Sequence, residues 1–123
     1  MEGIKKASTN LPFYKSFFKG NSPKPLLVFC TETYNKENDI NCRVFADLFG
    51  IPEDPATGSG NGCLAAYLVE HKYFSSSSID IKVEQGYEIG RKSLLYLRAE
   101  KNKGEIDVNV GGNVIKIAEG VLV

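Results

Sequence analysis

Glu53-Asp54-Pro55-Ala56-Thr57-Gly58-Ser59-Gly60-Asn61-Gly62-Cys63 runs without a break into Leu64-Ala65-Ala66-Tyr67-Leu68-Val69. A turn signal at Pro55 and a patch of small and hydroxyl residues therefore lead directly into an apolar helical run. The glycines at 58, 60 and 62 admit unusual dihedrals and let a ligand approach the backbone without Cβ atoms in the way. A helix that starts here presents unpaired N–H donors and about half a positive charge at its first turn, so a carboxylate or phosphate placed at residues 59–62 would meet amides and hydroxyls. Gly, Ser and Asn ahead of a helix are also what an ordinary cap looks like. Upstream, Glu53 and Asp54 add two carboxylates, an acid or a base beside a pole that favours anions. The stretch is no Walker loop, because Lys-Ser/Thr is missing after the last glycine, and its glycine spacing does not fit a dinucleotide fingerprint.

Working outward, residues 61–74 carry no polar stripe, which predicts a central helix surrounded by protein. Cys63 reads as a small buried hydrophobe within it. Glu70, His71 and Lys72 are expected to form an exposed last turn, ended by the serine run 75–78. The sole histidine thus lies at the opposite pole from the glycines, and we read it as structural. Upstream, Leu26–Cys30 is a continuous apolar run after Pro23 and Pro25, expected as a buried strand. Residues 41–46 form the next strand, with Cys42, Val44 and Ala46 on one face and Arg43, Phe45 and Asp47 on the other. Arg43 is a candidate anion ligand or an ion-pair partner for Glu53, and we favour the pair.

Downstream, Ile79, Ile81 and Val83 alternate with Asp80, Lys82 and Glu84, residues 94–99 are mixed, and Ile106, Val108 and Val110 alternate again. Ile115, Ile117, Val121 and Val123 continue the pattern, with turn signals at 101–104 and 111–113. One apolar helix followed by consecutive antiparallel strands predicts an α+β fold, a curved antiparallel sheet wrapped around a central helix.

The chain has 123 residues, the length of a single domain, and 15 basic residues balance 15 acidic ones. That balance gives no reason to expect nucleic acid or an anionic membrane as partner. Five lysines stand against Glu2 within residues 1–25, which together with Phe13, Tyr14, Phe17 and Phe18 read as a basic, solvated arm with one short aromatic helix; residues 26–123 form the domain. Cys30, Cys42 and Cys63 are odd in number and lack paired spacing, so neither a disulfide framework nor a metal site is expected, and a reducing cytoplasm fits. No run approaches the roughly 20 apolar residues of a membrane span.

Arg43-Val44-Phe45 followed by Gly50-Ile51-Pro52-Glu53-Asp54-Pro55-Ala56-Thr57-Gly58-Ser59 resembles the signature of the phenazine-biosynthesis PhzF-like family. A second block, Gln85-Gly86 and then Gly90-Arg91-Lys92-Ser93, is similar to that family's Gln-Gly and Gly-Arg-Pro-Ser run, with Lys92 where proline is usual. The resemblance covers about residues 25–123. It implies the C-terminal half of a diaminopimelate epimerase-like fold, each half being a β-roll around a central helix, with the active site between the halves. It further implies a cofactor-free isomerase or epimerase in which Asp54 and Ser59 are catalytic and Thr57, Gly58, Gly60, Asn61 and Gly62 bind a small carboxylate substrate. The family's proton-transferring glutamate and its assisting histidine belong to the N-terminal half and have no counterpart here. The related epimerases carry a cysteine before the Gly-Thr-Gly turn, where this chain has Thr57, so a cysteine racemase is not implied. The alternative is a non-catalytic, shortened member that self-associates. In either case a half of this fold is expected to cover its interface, as a homodimer or with an N-terminal half.

Overall fold

The computed structural model describes residues 1–19, 22 and 24–123. In chain order the elements are α1 (Glu2–Lys6), α2 (Leu11–Phe17), β1 (Leu26–Cys30), β2 (Ile40–Ala46), a 3-10 turn (Asp47–Phe49), β3 (Ile51–Asp54), α3 (Gly58–Glu70), β4 (Ser78–Gln85), β5 (Ser93–Asn102) and β6 (Glu105–Gly112). The strands form one curved sheet in the order β1-β2-β4-β5-β6, with β3 hydrogen-bonded to β2 off that path. This is the expected α+β arrangement of a sheet around an apolar helix. One pairing departs from the antiparallel expectation: β2 and β4 run parallel, Ile40 opposite Val83 and Cys42 opposite Gln85. The chain between them, which carries the glycine-rich stretch and α3, is the crossover that a parallel pair requires.

The core lies between α3 and the inner face of the sheet. Leu64, Ala65, Leu68 and Val69 of the helix pack on Ile40, Cys42, Val83, Leu95 and Leu97, all buried. Gly62 belongs to this contact, since a Cβ there would meet Val110 and Val108 at 3.7 and 3.9 Å. The helix is not surrounded by protein, however. Cys63, Tyr67 and Glu70 form an exposed stripe, so Cys63 is exposed rather than buried. α3 also stops at Glu70, with His71 as its C-cap beside Tyr67, far from the glycine end.

On the outer face the N-terminal residues, expected as a solvated arm, are docked in part. Asn10 caps α2 by accepting from the Phe13 amide at 3.1 Å, Ile4 and Tyr14 are buried, and the lysines stay in solvent. β1 is an edge strand whose Leu27 and Phe29 reach the core while Leu26 and Val28 stay partly exposed, so it is not the fully buried strand expected from its apolar run. Pro23, expected to bound it, lies outside the described residues. After Gly112 the alternating apolar residues pair with nothing: Val114, Ile115 and Ile117 are at least 87 % exposed and belong to no strand, contrary to the expected continuation of the sheet.

Among the described residues, Gly86, just past β4, is the one glycine whose replacement the backbone forbids on two counts. It has φ +77°, and an added Cβ would lie 2.3 Å from the Arg91 carbonyl oxygen. The turn it makes leaves Gln85 beside Thr57 and sets the Arg91 backbone against Gly86.

Candidate active site

The start of α3 is held open by a buried amide network. Gln85, fully buried at the end of β4, donates from Nε2 to the Asp54 carbonyl oxygen at 2.6 Å and to Thr57 Oγ1 at 3.0 Å. Its Oε1 accepts from the Thr57 amide at 3.2 Å and from Asn61 Nδ2 at 2.7 Å. Asn61 Nδ2 also donates to the Thr57 carbonyl oxygen at 3.0 Å. Thr57 is in the N-cap position, yet its hydroxyl donates to the Asp54 carboxylate instead of capping the helix. No side chain among the described residues caps α3. The first intrahelical bond runs from the Asn61 amide to the Thr57 carbonyl, so the amides of Gly58, Ser59 and Gly60 are left as donors at the positive pole.

The residues named from the sequence thus divide into two groups. Gly58 and Ser59 are exposed at the helix start, Gly60 is half-buried beside them, and Asp54 is half-buried with its carboxylate against Thr57. Those four gather at one pole. Asn61 and Gly62 do not join it: Asn61 is completely buried with its carboxamide engaged inside the network, and Gly62 faces β6. Thr57 spends its amide on Gln85 and its hydroxyl proton on Asp54, which makes it a support for the pole. A cavity of about 510 Å³ opens beside the pole, lined by Ala56, Gly58, Lys92, Ser93, Gly111 and Gly112. Lys92, in the position where the resemblance has proline, brings an exposed cation to that cavity.

Arg43 and Glu53 pair as expected and are not at the pole. Arg43 Nε and Nη2 meet the two Glu53 oxygens at 3.0 and 2.6 Å, and Nη1 donates to the carbonyls of Ile4, Lys5 and Ala7 at 2.9, 3.2 and 2.8 Å. The ion pair therefore ties β2 to β3 and both to the end of α1. Cys42 lies under the network, 3.8 Å from Asn61 Oδ1 and 3.7 Å from Gln85 Oε1. Burial pushes its thiol up to about 12, so it stays protonated and is no nucleophile at neutral pH.

Two buried side chains that organise the region were not picked as site residues from the sequence. Gln85 was visible only as half of a Gln-Gly pair. Glu84 stood in the polar register of an alternating strand, yet it is fully buried. It accepts from the amides of Tyr34 and Asn35 and from Asn38 Nδ2, each at 2.8 Å, and from Asn41 Nδ2 at 3.3 Å. The polar cluster Tyr34-Asn35 and Asn38 in the connection before β2 was the available signal.

Comparisons with known proteins agree with this architecture. An uncharacterized isomerase of Clostridium acetobutylicum is 36 % identical over 99 residues, covering 78 % of this chain and 33 % of that protein. The trans-2,3-dihydro-3-hydroxyanthranilate isomerase of Pseudomonas aeruginosa is 42 % identical over 79 residues, 63 % of this chain and 28 % of that protein. The crystal structure of the Bacillus anthracis phenazine biosynthesis protein of the PhzF family superposes with a TM-score of 0.74 at 23 % identity, covering 90 % of this chain and 38 % of that one. The chain therefore spans about a third of the length of the curated relatives it matches. The profile of the PhzC-PhzF family, described as phenazine biosynthesis-like protein, matches residues 5–120, and the chain belongs to that family.

Proposed function

We propose that this chain supplies the carboxylate-binding pole of a cofactor-free, PhzF-like isomerase and acts together with the residues that its relatives carry outside the matched third. The observation that carries the reading is the uncapped start of α3, where Thr57 is turned onto Asp54 and three amides are left to a ligand. A substrate carboxylate bound by the Gly58, Ser59 and Gly60 amides and the Ser59 hydroxyl would place its α-carbon in a positive field. Negative charge that develops there as a proton leaves is then stabilised by donors already in position. Asp54, held by Thr57 and by the Gln85 contact to its carbonyl, would orient the substrate or share its proton. The isomerase names of the relatives, one of them acting on a hydroxyanthranilate, support a small carboxylate as substrate class.

The test is proton exchange at a substrate's α-carbon in an assembly that joins this chain to the N-terminal part of a relative. Asp54→Asn and Ser59→Ala are each expected to lower exchange by about 100-fold or more. Neither should shift the stability of the chain by more than about 1 kcal/mol, the scale of a lost helix cap. Unfolding losses well beyond that with exchange intact would make both residues structural.

A second reading, a non-catalytic homodimer, draws on a different observation. Phe13 and Phe17 of α2 are 67 % and 68 % exposed, beside Leu26 and Val28 of the β1 edge, an apolar face that a two-fold contact between copies would cover. Light scattering at micromolar concentration is expected to give twice the mass of the 13.5 kDa chain; a monomer overturns this reading and leaves the first untouched.

A further inference from the structure

A second cavity, of about 570 Å³, lies on the other side of β3 from Asp54, between the segment after α1 and the outer face of the sheet. Its polar lining is Ser8, Thr9, Asp47 and Arg91, besides the Arg43–Glu53 pair. That pair is engaged in its own mutual bonds, and its two charges offset each other. The other four differ. Thr9 Oγ1 and Asp47 Oδ2 are buried and have no hydrogen-bond partner among the described residues. Buried polar atoms are almost always paired, so two unpaired ones just behind the wall of one cavity leave its lining with hydrogen-bonding capacity that a small side-chain rotation would turn toward a ligand. Arg91 is exposed and makes no ion pair among the described residues. The remaining wall is apolar: Leu11, Phe45, Pro52, Pro55 and Ile89. The volume is within the usual range of small-molecule sites, roughly 300–1,000 Å³.

We propose that this cavity binds a small zwitterion with an apolar body, an α-amino acid with an apolar side chain being the simplest case. One exposed cation, one half-buried carboxylate and two hydroxyls over an apolar wall form the complement of such a molecule. Its carboxylate pairs with the Arg91 guanidinium, which favours carboxylates by its forked donors. Its ammonium group pairs with the Asp47 carboxylate, the hydroxyls of Ser8 and Thr9 complete the polar shell, and the side chain covers Phe45, Pro52 and Ile89. The site is independent of the α3 pole: β3 directs Glu53 to this side and Asp54 to the other, as alternation along a strand requires. Each face of β3 thus serves a different ligand.

The experiment is a titration of the isotope-labelled chain, followed through amide resonances, with L-phenylalanine, N-acetyl-L-phenylalanine and L-phenylalanine amide. The free amino acid is expected to give saturable shifts at Ser8, Thr9, Asp47 and Arg91. Loss of either charge, in the acetylated or the amidated probe, should weaken binding by about tenfold. Asp47→Asn should weaken the free amino acid and leave the acetylated probe unchanged; Arg91→Gln should weaken the free amino acid and leave the amide unchanged. Equal binding of the three probes, or no saturable shift at these residues, overturns the proposal. Shifts confined to residues 58–60 would overturn it too, while supporting the pole. Acetate as a separate titrant, followed at the amides of residues 58–60, reads the α3 pole, and shifts at Asp47 and Arg91 with the amino acid read the cavity, so failure of one site is distinguishable from failure of the other. Should Asp47→Asn not fold, the comparison of probes on the unmodified chain decides.

Discussion

Arg43→Ala is expected to destabilise the chain by about 3–5 kcal/mol, the range for breaking a buried ion pair from one side. The size follows from what is left behind. Arg43 and Glu53 have side chains only 9 % and 7 % exposed, so removing the guanidinium strands a carboxylate away from water. The same change takes the Nη1 donor away from three carbonyls at the end of α1 and removes the cation stacked 4.8 Å from the centre of the Phe45 ring. Arg43→Lys should recover little, because a lysine cannot fork between two carboxylate oxygens and reach the α1 carbonyls as well. A double replacement by methionine should recover most of the loss in the β2–β3 contact, since no charge remains to be desolvated, but not the docking of α1. Urea unfolding with hydrogen exchange at residues 4–7 checks both halves. A loss under about 1 kcal/mol for Arg43→Ala, the level of an exposed pair, would show that the pair is wet and dispensable.

The second large effect concerns Glu84. Burial on its own pushes this carboxyl up, but the Tyr34 and Asn35 amides and the Asn38 and Asn41 carboxamides together outweigh it and hold it below its usual value. The sign then follows. A carboxyl depressed in the folded state contributes stability that is fully present above its unfolded value of about 4.3 and is lost as pH falls through the lower folded value. Stability should therefore decline below about pH 4.5, and in Glu84→Gln that limb of the curve should flatten. Glu84→Ala should cost about 3–5 kcal/mol, because two backbone amides and two carboxamides lose their acceptor at once. The connection between β1 and β2 would loosen with it. Thermal unfolding of the variants between pH 3 and 7 checks this, and an unchanged acid limb in Glu84→Gln would assign the decline to other carboxylates.

Glu84 also shows where the sequence stopped being informative. Alternation placed Asp80, Lys82 and Glu84 in the solvent register, and for the first two that is correct. The third is covered only because the segment 31–39 folds back over it, a contact between residues some 50 positions apart that no local pattern encodes. The parallel neighbourhood of β2 and β4 escaped for the same reason, and β3 because four residues with a proline make a weak strand signal. What was legible was local or carried by side-chain chemistry: an apolar helix following the glycine-rich stretch, though it begins at Gly58 and not Asn61, the β4–β6 strands, the short aromatic helix, and the Arg43–Glu53 pair, whose charges sit on adjacent strands. The tail failed differently. Residues 114–123 alternate well enough for a strand, but a strand exists only where an edge accepts it, and none of the described edges does. Near the start of α3 the motif marked Asp54, Ser59 and the glycines, while the buried network that joins Asn61 to Gln85 was not legible, because those two side chains meet only in the fold.

The parallel β2–β4 contact sets the order of events during folding. β4, β5 and β6 are successive hairpins, so their pairings close short loops and form early, whereas Ile40 and Val83 lie 43 residues apart and meet only after the whole crossover has been ordered. Asn41 opposite Glu84 and Cys42 opposite Gln85 finish that late ladder, and Gln85 is the residue that turns Thr57 and holds the first turn of α3 open. The donors at the start of α3 are therefore expected to become organised with this last pairing rather than in the early collapse. Pulse-labelled exchange should find the amides of β5 and β6 protected before those of β2; simultaneous protection would contradict this sequence. A ligand held by those donors should then slow unfolding and leave the early phase of folding unchanged.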